Sequence, residues 1–71
     1  NERIWEGKVR SVSSENSKGP FDVLPHHANF VTMVKNKPIV VRIGTGEQKT
    51  FTYNTAVFTV FNNKVTIYSD I

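Results

Sequence analysis

The chain has 71 residues, 38% of them hydrophobic, with nine Lys and Arg against six Asp and Glu, a formal charge of +3, a sequence pI near 9.5 and no cysteine. A domain this short buries only about 60 to 65% of its unfolded surface, and the lack of cysteine excludes disulfides and thiolate metal sites as supplements to its core. The apolar runs, such as Ile39–Val41 and Ala56–Phe58, are far below the roughly 20 residues of a membrane-crossing helix, and Asn1-Glu2-Arg3 opens without a leader-like stretch, so the expectation is one soluble, intracellular domain over residues 1–71 with no membrane insertion.

In chain order, Trp5, Gly7, Val9 and Ser11 alternate with Ile4, Glu6, Lys8, Arg10 and Val12, which predicts a single period-two strand over residues 3–12. Gly7 within it marks a bulge or a close backbone approach. The polar run Ser13–Gly19 predicts an exposed loop, the most mobile part of the chain. Phe21–Leu24 and Asn29–Val34 predict two short strands around a rigid corner, because Pro25 removes a backbone donor and holds Leu24 extended. Leu24 is expected to anchor that corner in the core.

Lys35–Pro38 ends one strand and starts the next, in which Ile39, Val41 and Ile43 share a face. Gly44–Glu47 predicts a hairpin loop, and Gln48–Tyr53 returns with Phe51 and Tyr53 on one side. In the last hairpin, an Asn62-Asn63 turn puts Phe61 opposite Lys64, Val60 opposite Val65 and Phe58 opposite Ile67. That register collects Ala56, Phe58, Val60, Val65 and Ile67 on one face. Seven short strands, mostly antiparallel, predict an all-β fold, a small β-sandwich or barrel.

Little in the sequence points to chemistry. His26 and His27 are adjacent, so in extended chain they face opposite ways and cannot chelate one ion together; Asp22 is the nearby carboxylate. A histidine beside a tight corner is better suited to bracing a backbone carbonyl. No Ser-His-Asp or paired-carboxylate arrangement emerges, so no enzyme, cofactor or metal is expected. Gly44-Thr45-Gly46 lies between two strands and reads as a turn, not a phosphate cradle. Eight aromatic residues interleaved with basic ones are also the ingredients of a single-strand nucleic-acid platform. So small a core needs the aromatics, however, and the basic residues are scattered.

The segment Gly19–Thr32 carries a resemblance. Gly19, Phe21, Val23, Leu24, Pro25, His27, Ala28, Phe30, Val31 and Thr32 match Gly-x-Phe-Gly-Ile-Leu-Pro-x-His-Ala-Pro-Leu-Val-Thr, the corner of the N-terminal β-sandwich domain of the rotary ATP synthase epsilon subunit (delta in mitochondria). Arg3-Ile4-Trp5-Glu6-Gly7-Lys8-Val9 is similar to that family's early strand, and Asn63–Asp70 is similar to its closing Asn-x-Val-Thr-Ile-Leu-Ala-Asp. The likeness covers nearly the whole chain. Asp22 replaces a glycine, Asn29 replaces the second proline, and Thr55-Ala56 stands where Gly-Gly is usual. The expectation over residues 1–71 is a domain without the family's first strand, which precedes Arg3, and without its C-terminal helical hairpin.

The resemblance implies a non-catalytic rotor component of a proton- or sodium-translocating synthase, peripheral to the membrane on its cytoplasmic or organellar matrix side. Its implied partners are the gamma subunit and the c-ring. Matching positions imply that His27, Lys18, Gly19 and Phe21 face those partners and that Leu24, Pro25 and Ala28 form the structural corner. The competing expectations are a small basic module that binds nucleic acid and an epsilon-like adaptor outside the synthase.

Overall fold

The structure, a computed structural model, describes residues 2–25 and 29–69. Its strands are β1 (Glu2–Lys8), β2 (Ser11–Asn16), β3 (Gly19–Val23), β4 (Phe30–Lys35), β5 (Ile39–Ile43), β6 (Glu47–Phe51), β7 (Thr55–Phe61) and β8 (Lys64–Ser69). They pair antiparallel into two four-stranded sheets, β1-β8-β7-β4 and β3-β2-β5-β6. This is an all-β sandwich, as expected.

The core lies where the two inner faces meet. Val12, Ile39 and Val41 from the second sheet oppose Phe58, Val65 and Ile67 from the first, and all six are fully buried. Aromatic pairs close both flanks. Trp5 of β1 meets Phe51 of β6 with ring centroids 6.1 Å apart, and Phe30 of β4 meets Phe21 of β3 at 5.7 Å. Phe58 lies within 5.9 Å of Phe21 and 6.1 Å of Phe30, so three rings fill one side. Tilted rings at these separations add attraction beyond the area they bury.

The last hairpin has the expected register, with Phe61, Val60 and Phe58 opposite Lys64, Val65 and Ile67. Asn62 and Asn63 both take positive φ, 51° and 65°, the backbone of a two-residue turn that matches strand twist. The loop expected over Gly44–Glu47 is the shorter turn Gly44–Gly46, since Glu47 already pairs with Ile43, and the returning strand ends at Phe51 rather than Tyr53.

Residues 3–12 are not one strand. β1 ends at Lys8 and the chain crosses to the other sheet through Val9 and Arg10. The crossing is pinned by the Arg10 amide, which donates to the Arg42 carbonyl at 2.7 Å, and by Arg10 Nη1, which donates to the Gly44 carbonyl at 2.9 Å. Each half alternates, but the inward parity reverses at the break: Trp5 and Val9 pack on the core in the first half, whereas in β2 the buried residue is Val12, expected on the opposite face. Within β1, Arg3 pairs with Tyr68 and Trp5 with Ile67, leaving Ile4 as an extra residue. That bulge allows Ile4 and Trp5, neighbours in sequence, both to pack against the core.

Ser13–Asn16 is strand, not loop. Its polar side chains find partners: Ser13 Oγ bonds Asp22, Ser14 Oγ donates to the Pro38 carbonyl at 2.9 Å, and the Asn16 amide donates to Thr32 Oγ1 at 3.1 Å across the gap between sheets. The turn shrinks to Ser17-Lys18, where Asn16 Oδ1 accepts from the Lys18 amide at 2.9 Å, a side-chain substitute for a backbone turn bond.

Leu24 is a correction too. It is 52% exposed, whereas Val23 and Pro25 on either side are buried. Successive residues of an extended chain point to opposite faces, and the inward parity belongs to Val23 and Pro25. His26, His27 and Ala28 lie outside the described residues.

Two stability results are expected. Phe58→Ala should cost about 3 to 5 kcal/mol, and Leu24→Ala no more than about 1 kcal/mol, read as shifts of the urea midpoint at constant slope. At Gly7, an added Cβ would come within 2.9 Å of the Trp5 ring. Gly7→Ala should therefore lower the melting temperature, by an amount equivalent to about 1 to 3 kcal/mol. The loss should shrink in a Trp5→Leu background, where the obstructing ring is gone.

Candidate functional site

The connections collect at two opposite ends of the sandwich. One end carries Ser17-Lys18, Asn36–Pro38 and the 52–54 connection; the other carries Val9-Arg10, the corner that begins at Leu24, Gly44–Gly46 and Asn62-Asn63. β3 runs between them. Its five residues, at a rise of about 3.3 Å each, set the ends about 16 Å apart.

The residues expected to face partners are therefore divided. Lys18 is exposed at the tip of the β2–β3 turn, and Gly19 beside it takes a positive φ of 116°, a backbone shape open to glycine and strained for other residues. Phe21, in mid-strand, turns inward and packs on Phe30 and Phe58. Leu24 and Pro25 lead into the corner at the far end, and His27 and Ala28 fall within its undescribed part. Lys18 and Gly19 thus share one end, Leu24 and Pro25 the other, and Phe21 belongs to the core between.

Beside Lys18, Glu15, Asn16, Ser17, Met33, Lys35 and Lys37 line a groove of about 430 Å3. Lys37 Nζ approaches Glu15 Oε1 at 3.9 Å with both side chains close to half exposed. An ion pair that open is screened and weak, so both groups stay available to another molecule. Among the described residues, no group of three or more His, Cys, Asp or Glu is placed to hold a metal ion, and no helix is long and apolar enough to cross a membrane.

The two outer faces differ in kind. On the β3-β2-β5-β6 sheet, Arg42 Nη1 donates to Ser13 Oγ at 2.6 Å and Ser11 Oγ at 3.4 Å, and Ser13 bonds Asp22, so cation and carboxylate are joined through hydroxyls. Sequence reading missed this chain of bonds; its one sign was the alternation of Ser11 and Ser13 around Val12. On the other sheet, Val31, Met33 and Phe61 are each more than half exposed. Glu6, at that sheet's β1 edge, holds Lys64 Nζ at 2.6 Å and Arg3 Nη1 at 2.7 Å. The hydrogen bond from Lys64, with lesser help from the charges of Lys64 and Arg3, keeps the Glu6 carboxyl below its usual pKa against the opposing effect of burial.

All of residues 1–71 match the family described as the β-sandwich domain of the ATP synthase delta/epsilon chain. The chain belongs to this family. Among its relatives are the ATP synthase epsilon chains of Clostridium botulinum (strain Eklund 17B / Type B), 27% identical over 67 residues, and of Corynebacterium jeikeium (strain K411), 29% identical over 68. A third is that of a Nitratiruptor species, 30% identical over 63 residues. These alignments take in 94%, 94% and 89% of this chain but 50%, 55% and 49% of the relatives, so the chain spans about half their length. No solved structure matches it. A delta/epsilon β-sandwich with eight strands and two loop-bearing ends is thus what any function must be built on.

A carboxylate held below its unfolded-state pKa contributes stability that is complete above the unfolded value and disappears as pH falls through the folded one. Glu6→Gln should therefore lower the melting temperature near neutral pH. Its curve should converge with that of the parent in strong acid, where both side chains are neutral. Thermal melts across a pH series check this, and a constant gap at every pH would remove Glu6 from the account.

Proposed function

We propose that the domain is a non-catalytic connector in the central stalk of a proton- or sodium-translocating ATP synthase, binding the gamma subunit and resting on the c-ring. It would then work at the cytoplasmic or organellar matrix face of an energy-transducing membrane without entering it. The observation that carries this reading is the family match along the whole chain.

The architecture supports it. A body that links two partners needs two separate docking places and little give between them. Here Lys18 and Gly19 mark one end, the corner at Leu24-Pro25 begins the other, and close-packed β strands lie between. Protein interiors packed to crystal-like density resist deformation, which is what transmission of torque requires. In this role Lys18, Gly19 and the corner, with His27, form the contact surfaces, and Phe21 acts from beneath by fixing the β3 strand on Phe58.

Co-purification with a gamma subunit tests the proposal. The intact protein should retain gamma through washing at moderate salt. Lys18→Glu and His27→Ala should each reduce capture of gamma or of the gamma and c-ring assembly by roughly tenfold, the loss expected when an anchoring contact at an interface is removed. The melting temperature of Lys18→Glu should stay unchanged. Failure of the intact protein to capture gamma would overturn the reading.

A further inference from the structure

At the corner end, Lys8, Val9, Arg10, Ser11, Leu24 and Asn63 line a groove of about 590 Å3. Two cations line it together with the apolar Val9 and Leu24, and no acid is among the described lining residues. Lys8 stands opposite Lys64 in the β1–β8 register, and Lys64 already holds Glu6 at 2.6 Å. The ion pairs among the described residues are Arg3–Glu6, Lys37–Glu15 and Lys64–Glu6, so within that set Lys8 and Arg10 have no carboxylate partner.

Arg10 is also held in place. Its amide and its guanidinium are tied to the Arg42 and Gly44 carbonyls. A guanidinium positioned by one bond keeps further donors in a fixed fork for an incoming carboxylate and loses less freedom on binding. Leu24 stands 52% exposed between two buried neighbours, Val23 and Pro25. An exposed apolar side chain beside cations without a carboxylate partner is the pattern of an interface anchor.

We infer that this groove is a docking site for an extended acidic segment of a partner chain, with an apolar side chain seated on Leu24 and Val9 between carboxylates that meet Lys8 and Arg10. The inference concerns the chemistry of the groove and does not rest on the rotor reading. A nucleic acid would share the attraction to the cations but needs exposed rings for its bases. Among the described residues, Phe61 is the one aromatic side chain more than half exposed, and it does not line the groove.

The test uses the full-length protein and a fluorescein-labelled pentapeptide, Asp-Glu-Leu-Glu-Asp, followed by fluorescence polarisation. Saturable binding should weaken as salt rises. Replacement of the peptide's leucine by serine, or the protein variant Leu24→Ser, should weaken it by about three- to tenfold. Lys8→Glu alone and Lys8→Glu with Arg10→Glu should weaken it by about tenfold or more; the single variant guards against misfolding through loss of the Arg10 bond to Gly44. Lys35→Glu with Lys37→Glu, at the opposite end, should change it less than about twofold, since distant exposed charges are screened.

No saturable binding, or equal losses from the two charge-reversed pairs, would overturn the inference. So would oligothymidylate binding tighter than the peptide with the same dependence on Lys8 and Arg10, which would assign the groove to nucleic acid.

Discussion

Two aromatic contacts, Trp5 with Phe51 on one flank and Phe21 with Phe30 on the other, hold the two sheets in register. A chain of 71 residues without cysteine has no covalent staple, and its aliphatic core is one layer thick. Sheets stack about 10 Å apart, a gap that valines alone fill poorly at the margins, where one sheet no longer overhangs the other. Rings large enough to span that gap close it. Phe58, reached by both rings of the second pair, ties that flank to the centre. Everything at the two ends inherits its position from this closure.

A sandwich closed along its flanks leaves its ends to be specialised. One end gathers a lysine-tipped hairpin, and the other gathers the proline corner and a cationic groove. The outer faces are divided as well, one knitted by Arg42, Ser13 and Asp22 and the other bearing Val31, Met33 and Phe61. The ends and faces thus differ in charge and exposure, in a chain of the ATP synthase delta/epsilon β-sandwich family.

Much of the fold was legible where local chemistry leaves one solution. Asn62-Asn63 tolerates positive φ on both residues, so it dictates the final register, and the β-branched run Ile39–Ile43 could only be a strand with one face buried. What was not legible involves the choice between equivalent alternations. β1 and β2 each alternate, but the inward parity switches between Val9 and Val12 at the change of sheet, and nothing in side-chain order marks that switch or which sheet is being joined. The Ile4 bulge shifts parity by one residue, and the mistake at Leu24 is the same kind of slip: proline fixes the direction of the chain but not which neighbour faces inward. Ser13–Asn16 looked like loop because its hydroxyls and amide are satisfied by Asp22, Pro38 and Thr32, far away in sequence. The division of the expected contact residues between two ends was within reach, since the five residues of a strand must separate whatever lies at its termini. The part of the corner that holds His27 is outside the described residues.

The chain has a single tryptophan, and it lies across Gly7 on the flank closed by Phe51. Its emission is therefore a local optical gauge. It registers separation of β1 from β6 as the indole meets water, while events around Phe21, Phe30 and Phe58 remain spectrally silent. Fluorescence and a global probe such as far-ultraviolet dichroism will agree only if both flanks open together, so any disagreement between the two signals identifies which side of the sandwich yields first.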